Sequence, residues 1–280
     1  MNDKHYPAGS SKGGQFAPKN GTQTAQIPSV EVDLEQEYGI NPEMLERQRK
    51  IDEFEKTVTR MPFNQYSPEI QQMASALQNR ALTSEPDITK DLSTLTKIVG
   101  ADLVGLDHRV KSLDSLAEKL FNNIEIWGND AKSAFENIND SLRYTVSLPA
   151  DNFVDGFFDI TKGLNDVGYR ILQVKNRFMN KATKEYKDVN VLLQDKKGNI
   201  FEIQFNTPEN IAVKNGHDGQ NGLHFYYDQL KKIKSWKENG QSPEDNERFR
   251  YLRYTMKKLA QDMNVPANID KIYNFVSKYE

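Results

Sequence analysis

The 280-residue chain contains no cysteine, which excludes disulfide frameworks, thiolate zinc sites and cysteine nucleophiles, and leaves the redox compartment unread. Histidine is scarce, at four residues, so a histidine-based metal centre of the hydrolytic kind is not expected. No run approaches the ~18 apolar residues that a membrane helix needs, and the N-terminus lacks the apolar core of a secretory signal. The expectation is a cytoplasmic protein without a membrane partner. Excess positive charge is missing too, and a net charge of -3 argues against non-specific coating of nucleic acid. With 37% hydrophobic and 28% charged residues, part of the chain is expected never to pack.

That part is placed at the start. Residues 1–30 are rich in Gly, Ser, Pro, Gln and Asn and read as a disordered tail. Within them "HYPAGSSKGGQFAPK" resembles N-terminal stretches of tailed-phage minor head proteins, which implies a phage or prophage origin and a virion as a second location. Residues 31–91 read as a helical N-terminal region. One helix is capped by Asn41 with Pro42 at its first position, a second starts at "SPEIQQMASALQNRAL", and a third, "EPDITKDLSTLTKIVG", stops at Gly100. From residue 92 to 280 helices alternate with strands and then give way to a hairpin, the pattern of an α+β domain with a mixed sheet flanked by helices.

The candidate chemistry is spread over three stretches. In "RVKSLDSLAEKL" Leu113, Leu116 and Leu120 make a buried stripe, while Ser112, Ser115 and Lys119 repeat the spacing one position earlier, after Arg109 and Lys111. A helix opening with Arg, Lys and Ser suits a triphosphate, and equally suits an ordinary amphipathic helix with a cationic face. In "NDSLRYTVSLP" alternation turns Arg143 away from the apolar face, and Asp140 stands before the strand. Strict alternation would put Asp140 and Arg143 on opposite faces unless the strand breaks or twists between them. In "FEIQFNT" Phe201, Ile203 and Phe205 alternate with Glu202, Gln204 and Asn206. If "KKGN" closes a hairpin, Leu192 faces Glu202, Asn190 faces Gln204 and Tyr186 lies near the same row, a polar patch with an aromatic platform. An edge hairpin with a wet outer face would show the same pattern.

In this order the pieces resemble the synthetase domain of the RelA/SpoT family, a nucleotidyltransferase-type sheet, and more closely its small single-domain and toxin-like members. "HRVKSLDSLAEKL" looks like the family's ATP helix, "DSLRYTV" like its metal aspartate with a following arginine, "GYRILQVKN" and "YKDVN" like its acceptor-side loop and strand, and "FEIQFNT" like its E-x-Q strand. The resemblance implies transfer of pyrophosphate from ATP to a ribose 3'-hydroxyl with Mg2+. Arg109 and Arg143 would clamp adenine, Lys111, Ser115 and Lys119 would hold the phosphates, and Asp140 and Glu202 would bind the metal. Glu202 would also deprotonate the acceptor, Tyr186 would stack on its base, and Gln204 and Asn190 would lie on the acceptor side.

Three departures from the family pattern are visible. Asp140 and Arg143 are closer than usual and no glycine intervenes, Asn190 stands where histidine is common, and Asn206 where arginine is common. The acceptor is therefore open among GDP or GTP, ADP or ATP, and the 3'-CCA end of tRNA. Candidate partners beyond the substrate are an antitoxin, phage head proteins and a second copy of the chain. Two late segments, "QLKKIKSWK" and "RFRYLRYTMKKL", are either solvated helix faces or a surface for a polyanion such as tRNA. The alternative to an enzyme is a phage head-associated protein whose synthetase-like domain only binds a nucleotide or a partner.

Overall fold

The period-two pattern of residues 200–206 becomes the centre of a sheet, because three aromatic and branched side chains on one face can be removed from water only if a second layer covers them. The computed structural model describes residues 33–58, 60–179, 187–216, 220–233 and 242–277. Its six strands are β1 (Asp102–Val104), β2 (Arg143–Ser147), β3 (Arg170–Asn176), β4 (Val189–Gln194), β5 (Ile200–Asn206) and β6 (Phe275–Val276), in the order β1-β2-β5-β4-β3-β6. β2 and β5 are parallel and every other pair is antiparallel, so the fold is α+β with a mixed sheet. The expected hairpin register is present, with Leu192 opposite Glu202 and Asn190 opposite Gln204.

One face of the sheet is the main core. Phe201, Ile203, Phe205, Val189, Val191, Leu193, Tyr144 and Val146 are buried there, under the helices α3 (Pro68–Val99) and α6 (Phe153–Asp166). The sequence predicts two helices in the first of these spans, broken near Pro86; the structure has one helix of 32 residues with Pro86 inside it. A proline removes one backbone bond and crowds the preceding turn. Here Ala74, Leu77, Ala81, Ser84, Ile88 and Leu92 continue a single buried stripe across it, so burial outweighs the local penalty. The Thr83 carbonyl, three residues before the proline, accepts a hydrogen bond from Lys197 Nζ at 3.1 Å. The caps are those read from sequence: Ser67 accepts from the Ile70 amide, and Gly100 ends the helix with φ of 69°. The expected boundary between residues 91 and 92 falls inside α3, and residues 34–280 form one compact unit. The tail at residues 1–30 lies outside the described residues, among which no helix is long and apolar enough to cross a membrane.

The remaining helices are α1 (Leu34–Tyr38), α2 (Pro42–Glu55), α4 (Leu113–Phe121), α5 (Ala131–Glu136), α7 (Pro208–Asn215), α8 (Leu223–Lys232) and α9 (Pro243–Leu259). α4 begins later than expected. Ser112 is its cap and accepts from the Ser115 amide, so Arg109 and Lys111 precede the helix and are not in its first turn. A second core joins Met44 of α2 to Leu223, Tyr226, Tyr251, Leu252 and Met256 of α8 and α9. The late cations serve this joint. Arg248 is buried against Asp52 at 2.7 Å, Lys232 pairs with Glu55 at 2.8 Å and Lys257 with Glu37 at 2.7 Å. These three are tied to acidic residues of the N-terminal helices, while Arg250 and Lys258 of the same segments are exposed. Lys234 and Lys237 lie outside the described residues.

The turn between β4 and β5 sets the register of the central strands. Gly198 supplies a φ of 86°. The Asp195 carboxylate collects the amides of Lys197 and Asn199 at 2.9 and 2.8 Å and the Ser84 hydroxyl at 2.5 Å. Asp195→Ala strands three donors around a buried position and should lower the unfolding free energy by about 2–3 kcal/mol. Urea unfolding of the two proteins measures it.

Candidate active site

The second face of the sheet is polar. Register lines up Arg143, Glu202 and Leu192 in one row across β2, β5 and β4, and Thr145, Gln204, Asn190 and Lys175 in the next, ending on β3. Glu202 is half-buried and Gln204 is buried. Gln204 Nε2 donates to Glu202 Oε1 at 2.7 Å, while Gln204 Oε1 accepts from Lys214 Nζ at 2.6 Å. Lys214 is buried on α7, a helix begun by the Thr207 cap and Pro208. Burial pushes the Lys214 ammonium down to about 8, with Arg143 adding to the shift and Asp188 and Glu202 opposing it. Asp188, fully buried just before β4, receives both contacts of Arg177 Nη1 at 3.0 and 2.9 Å. Its burial pushes the carboxyl up to about 6 in spite of Arg177 and Lys214.

A cationic half stands beside this row. The segment before α4 runs along the entry to β2: the Arg143 amide donates to the Arg109 carbonyl at 2.8 Å, and the Lys111 amide donates to the Ser141 carbonyl at 3.0 Å. That stitching brings Lys111 next to Asp140. Asp140 Oδ1 pairs with Lys119 Nζ at 2.6 Å and Oδ2 with Lys111 Nζ at 3.3 Å. Burial raises the Asp140 carboxyl, but Lys111, Lys119 and Arg143 outweigh it and hold the group at about 2. Burial lowers Lys111 against the pull of Asp140. β2 starts at Arg143, so Asp140 lies outside the strand and alternation does not separate the two residues. Arg143 bears on Lys111 and Asp140, and equally on Lys214 and His224, so it is the charge common to both halves.

The structure therefore brings Lys111, Lys119, Asp140 and Arg143 together, and Glu202, Gln204 and Asn190 together. Asn190 is buried, and its Nδ2 has no hydrogen-bond partner among the described residues. Ser115 Oγ accepts from Arg60 Nη1 at 2.5 Å and from Ser112 Oγ at 3.0 Å. Arg109 is drawn off toward α3, where its Nε pairs with Glu85 at 2.6 Å and its Nη1 donates to the Leu106 carbonyl. Tyr186 lies outside the described residues. Sequence inspection missed Lys214, Asp188, Arg177, Arg60 and Glu85. Only Lys214 had a signal: Thr207-Pro208 marks a helix start, and Asn210 and Lys214, four apart, then share its buried face.

No protein-family model and no curated protein sequence matches the chain. Among solved structures it is similar to the type VI effector Tas1 in complex with its immunity protein, at 18% identity and a TM-score of 0.43, over 67% of this chain and 95% of that one. It is similar to small alarmone synthetase 2 from Bacillus subtilis at 16% identity and a TM-score of 0.37, over 66% of this chain and 88% of that one. Small alarmone synthetase 1 from the same organism, bound to its product pppGpp, is similar at 12% identity and a TM-score of 0.38, over 66% and 90%.

The Asp140 carboxyl makes an acid-sensitive contribution to stability. Its folded value of about 2 lies below the ordinary 3.8, so the contribution is present above pH ~4 and is lost as pH falls toward ~2. Asp140→Asn should unfold more easily than wild type at pH 6 by about 2 kcal/mol or more, since it also leaves Lys111 buried without its counter-ion. The gap should narrow steadily between pH 5 and 2 in denaturant titrations.

Proposed function

We propose that this protein is an ATP pyrophosphotransferase acting on the ribose 3'-hydroxyl of a free nucleotide. The observation that carries the proposal is one surface on which two lysines converge on Asp140 beside a strand carboxylate, Glu202, with Arg143 between them. Transfer of this kind needs aligned reactants and neutralised phosphate charge more than covalent catalysis, and an all-ion site without a thiol is suited to it. Lys111 and Lys119 bind the phosphates, and Asp140 keeps the two ammonium groups converged before substrate arrives. Arg143 lies where the donor and acceptor meet. The acceptor oxygen attacks the β-phosphorus of ATP, Glu202 takes its proton, the bond from that phosphorus to the bridging α,β-oxygen breaks, and AMP leaves.

Asp140 and Glu202 would hold magnesium together with substrate phosphates. That donor set fits the ion, which takes one or two carboxylates and completes its octahedron with phosphate oxygens and water. Among the described residues no group of three acidic or imidazole side chains offers a full protein cage. When bound, the ion neutralises phosphate charge.

The free-nucleotide acceptor is favoured over the tRNA end by the state of the late cations. Arg248, Lys232 and Lys257 are paired with Asp52, Glu55 and Glu37, and a cation already paired with a carboxylate must give up that partner before it can neutralise an RNA phosphate.

The purified protein should be given magnesium, γ-labelled ATP and, in parallel, GDP, GTP, ADP, ATP and deacylated tRNA. Label is expected on a nucleotide and not on tRNA. Glu202→Gln should reduce transfer by about 10²–10⁴-fold, the range for a general base. Lys119→Ala should weaken ATP binding by about 10-fold, one charge-assisted contact. Full activity in Glu202→Gln would remove the mechanism.

A further inference from the structure

An amide has two unlike ends, and the end that faces a carboxylate decides whether it helps or harms. Turned one way, Gln204 offers an N–H to Glu202; turned the other, it sets a carbonyl oxygen against a carboxylate. On the strand alone nothing selects between them. Lys214 does, because an ammonium only donates: with its Nζ 2.6 Å from one end of the amide, that end must be the oxygen, and the nitrogen is left for Glu202 at 2.7 Å. We propose that Lys214 is a positioning residue for Glu202, acting through Gln204 to fix the carboxylate that receives the acceptor proton. This rests on the pyrophosphotransferase assignment above.

The surroundings support the role. A buried lysine is costly to maintain and needs compensation from its neighbours. Asp188 and Glu202 stabilise the ammonium, whereas Arg143 and Arg177 oppose it. The lysine is also held at a fixed height over the sheet. One helical turn earlier Asn210 exchanges two hydrogen bonds with Asn264, its Nδ2 donating to the carbonyl at 3.0 Å and its Oδ1 accepting from the amide at 2.7 Å. The chain from α7 through Gln204 to Glu202 is thus anchored at its far end in the segment that follows α9.

A double-mutant cycle separates this role from direct contact with substrate. Lys214→Met should lower kcat by about 10- to 100-fold with the KM for ATP unchanged, the scale of one charge-assisted bond. In a Gln204→Leu background the same substitution should cost less than about 2-fold, since the link is already cut. Lys214→Gln, which keeps a donor, should recover part of the loss. The side-chain amide resonance of Gln204, identified by its disappearance in Gln204→Leu, should shift in Lys214→Met whether or not the protein is active. Equal losses in both backgrounds, an unmoved resonance, or failure of both Lys214 variants to fold would each overturn the positioning role. Wild-type protein that labels no acceptor would defeat the assigned reaction instead, with the amide resonance still reporting on the link.

Discussion

Parallel pairing of β2 with β5 sets Arg143 directly beside Glu202, and the rest of the site depends on that register. A slip of one residue would turn the polar row into the core and the core row into solvent. Nothing in the polar row itself prevents the slip. The opposite face does, since Tyr144 and Val146 on one strand and Phe201, Ile203 and Phe205 on the other fit under α3 and α6 in one register only. Packing on the dry side of the sheet thereby aligns ions on the wet side.

The charges that meet there satisfy a second requirement, that no buried ion stands alone. Asp140 has two lysines, Asp188 has Arg177, and Lys214 has an amide oxygen with Asp188 and Glu202 close by. The balance is local in each half, with Arg143 contributing to both. In the proposed reaction, phosphate and hydroxyl oxygens would replace these internal partners.

Much of this was legible from short-range pattern. The strands β2 to β5, the hairpin register and the caps at Asn41, Ser67 and Gly100 follow from period and from residues whose backbone preferences are strong, whereas the short edge strands β1 and β6 show no such period. The misreadings came where long-range packing overruled a local signal. Pro86 looked like a helix end because the stripe on both its sides is invisible until the sheet is there to bury it. The late basic segments looked like a surface because their acidic partners, Asp52, Glu55 and Glu37, are about two hundred residues away in the chain. Within the site, the family motifs pointed to Lys111, Lys119, Asp140 and Glu202, all of which lie on a strand, on the helix after it or at their edges. Asp188 and Arg177 belong to no spacing that a single sequence displays, Lys214 shows only as the residue four after Asn210 on α7, and the three meet only through the sheet and that helix.

The pairing of β2 with β5 also has a meaning for synthesis of the chain. Its partners are separated by about sixty residues, with α6, β3 and β4 between them, and non-local contacts of this kind form late because a long loop must close first. A chain leaving the ribosome can fold α3 and the cationic half long before Glu202 exists in any fixed place. Only after α7 has emerged is Lys214 seated on Gln204, with the Glu202 row beside Arg143. Nascent forms that stop short of β5 would carry Lys111, Lys119 and Asp140 without the strand that sets Glu202 beside Arg143.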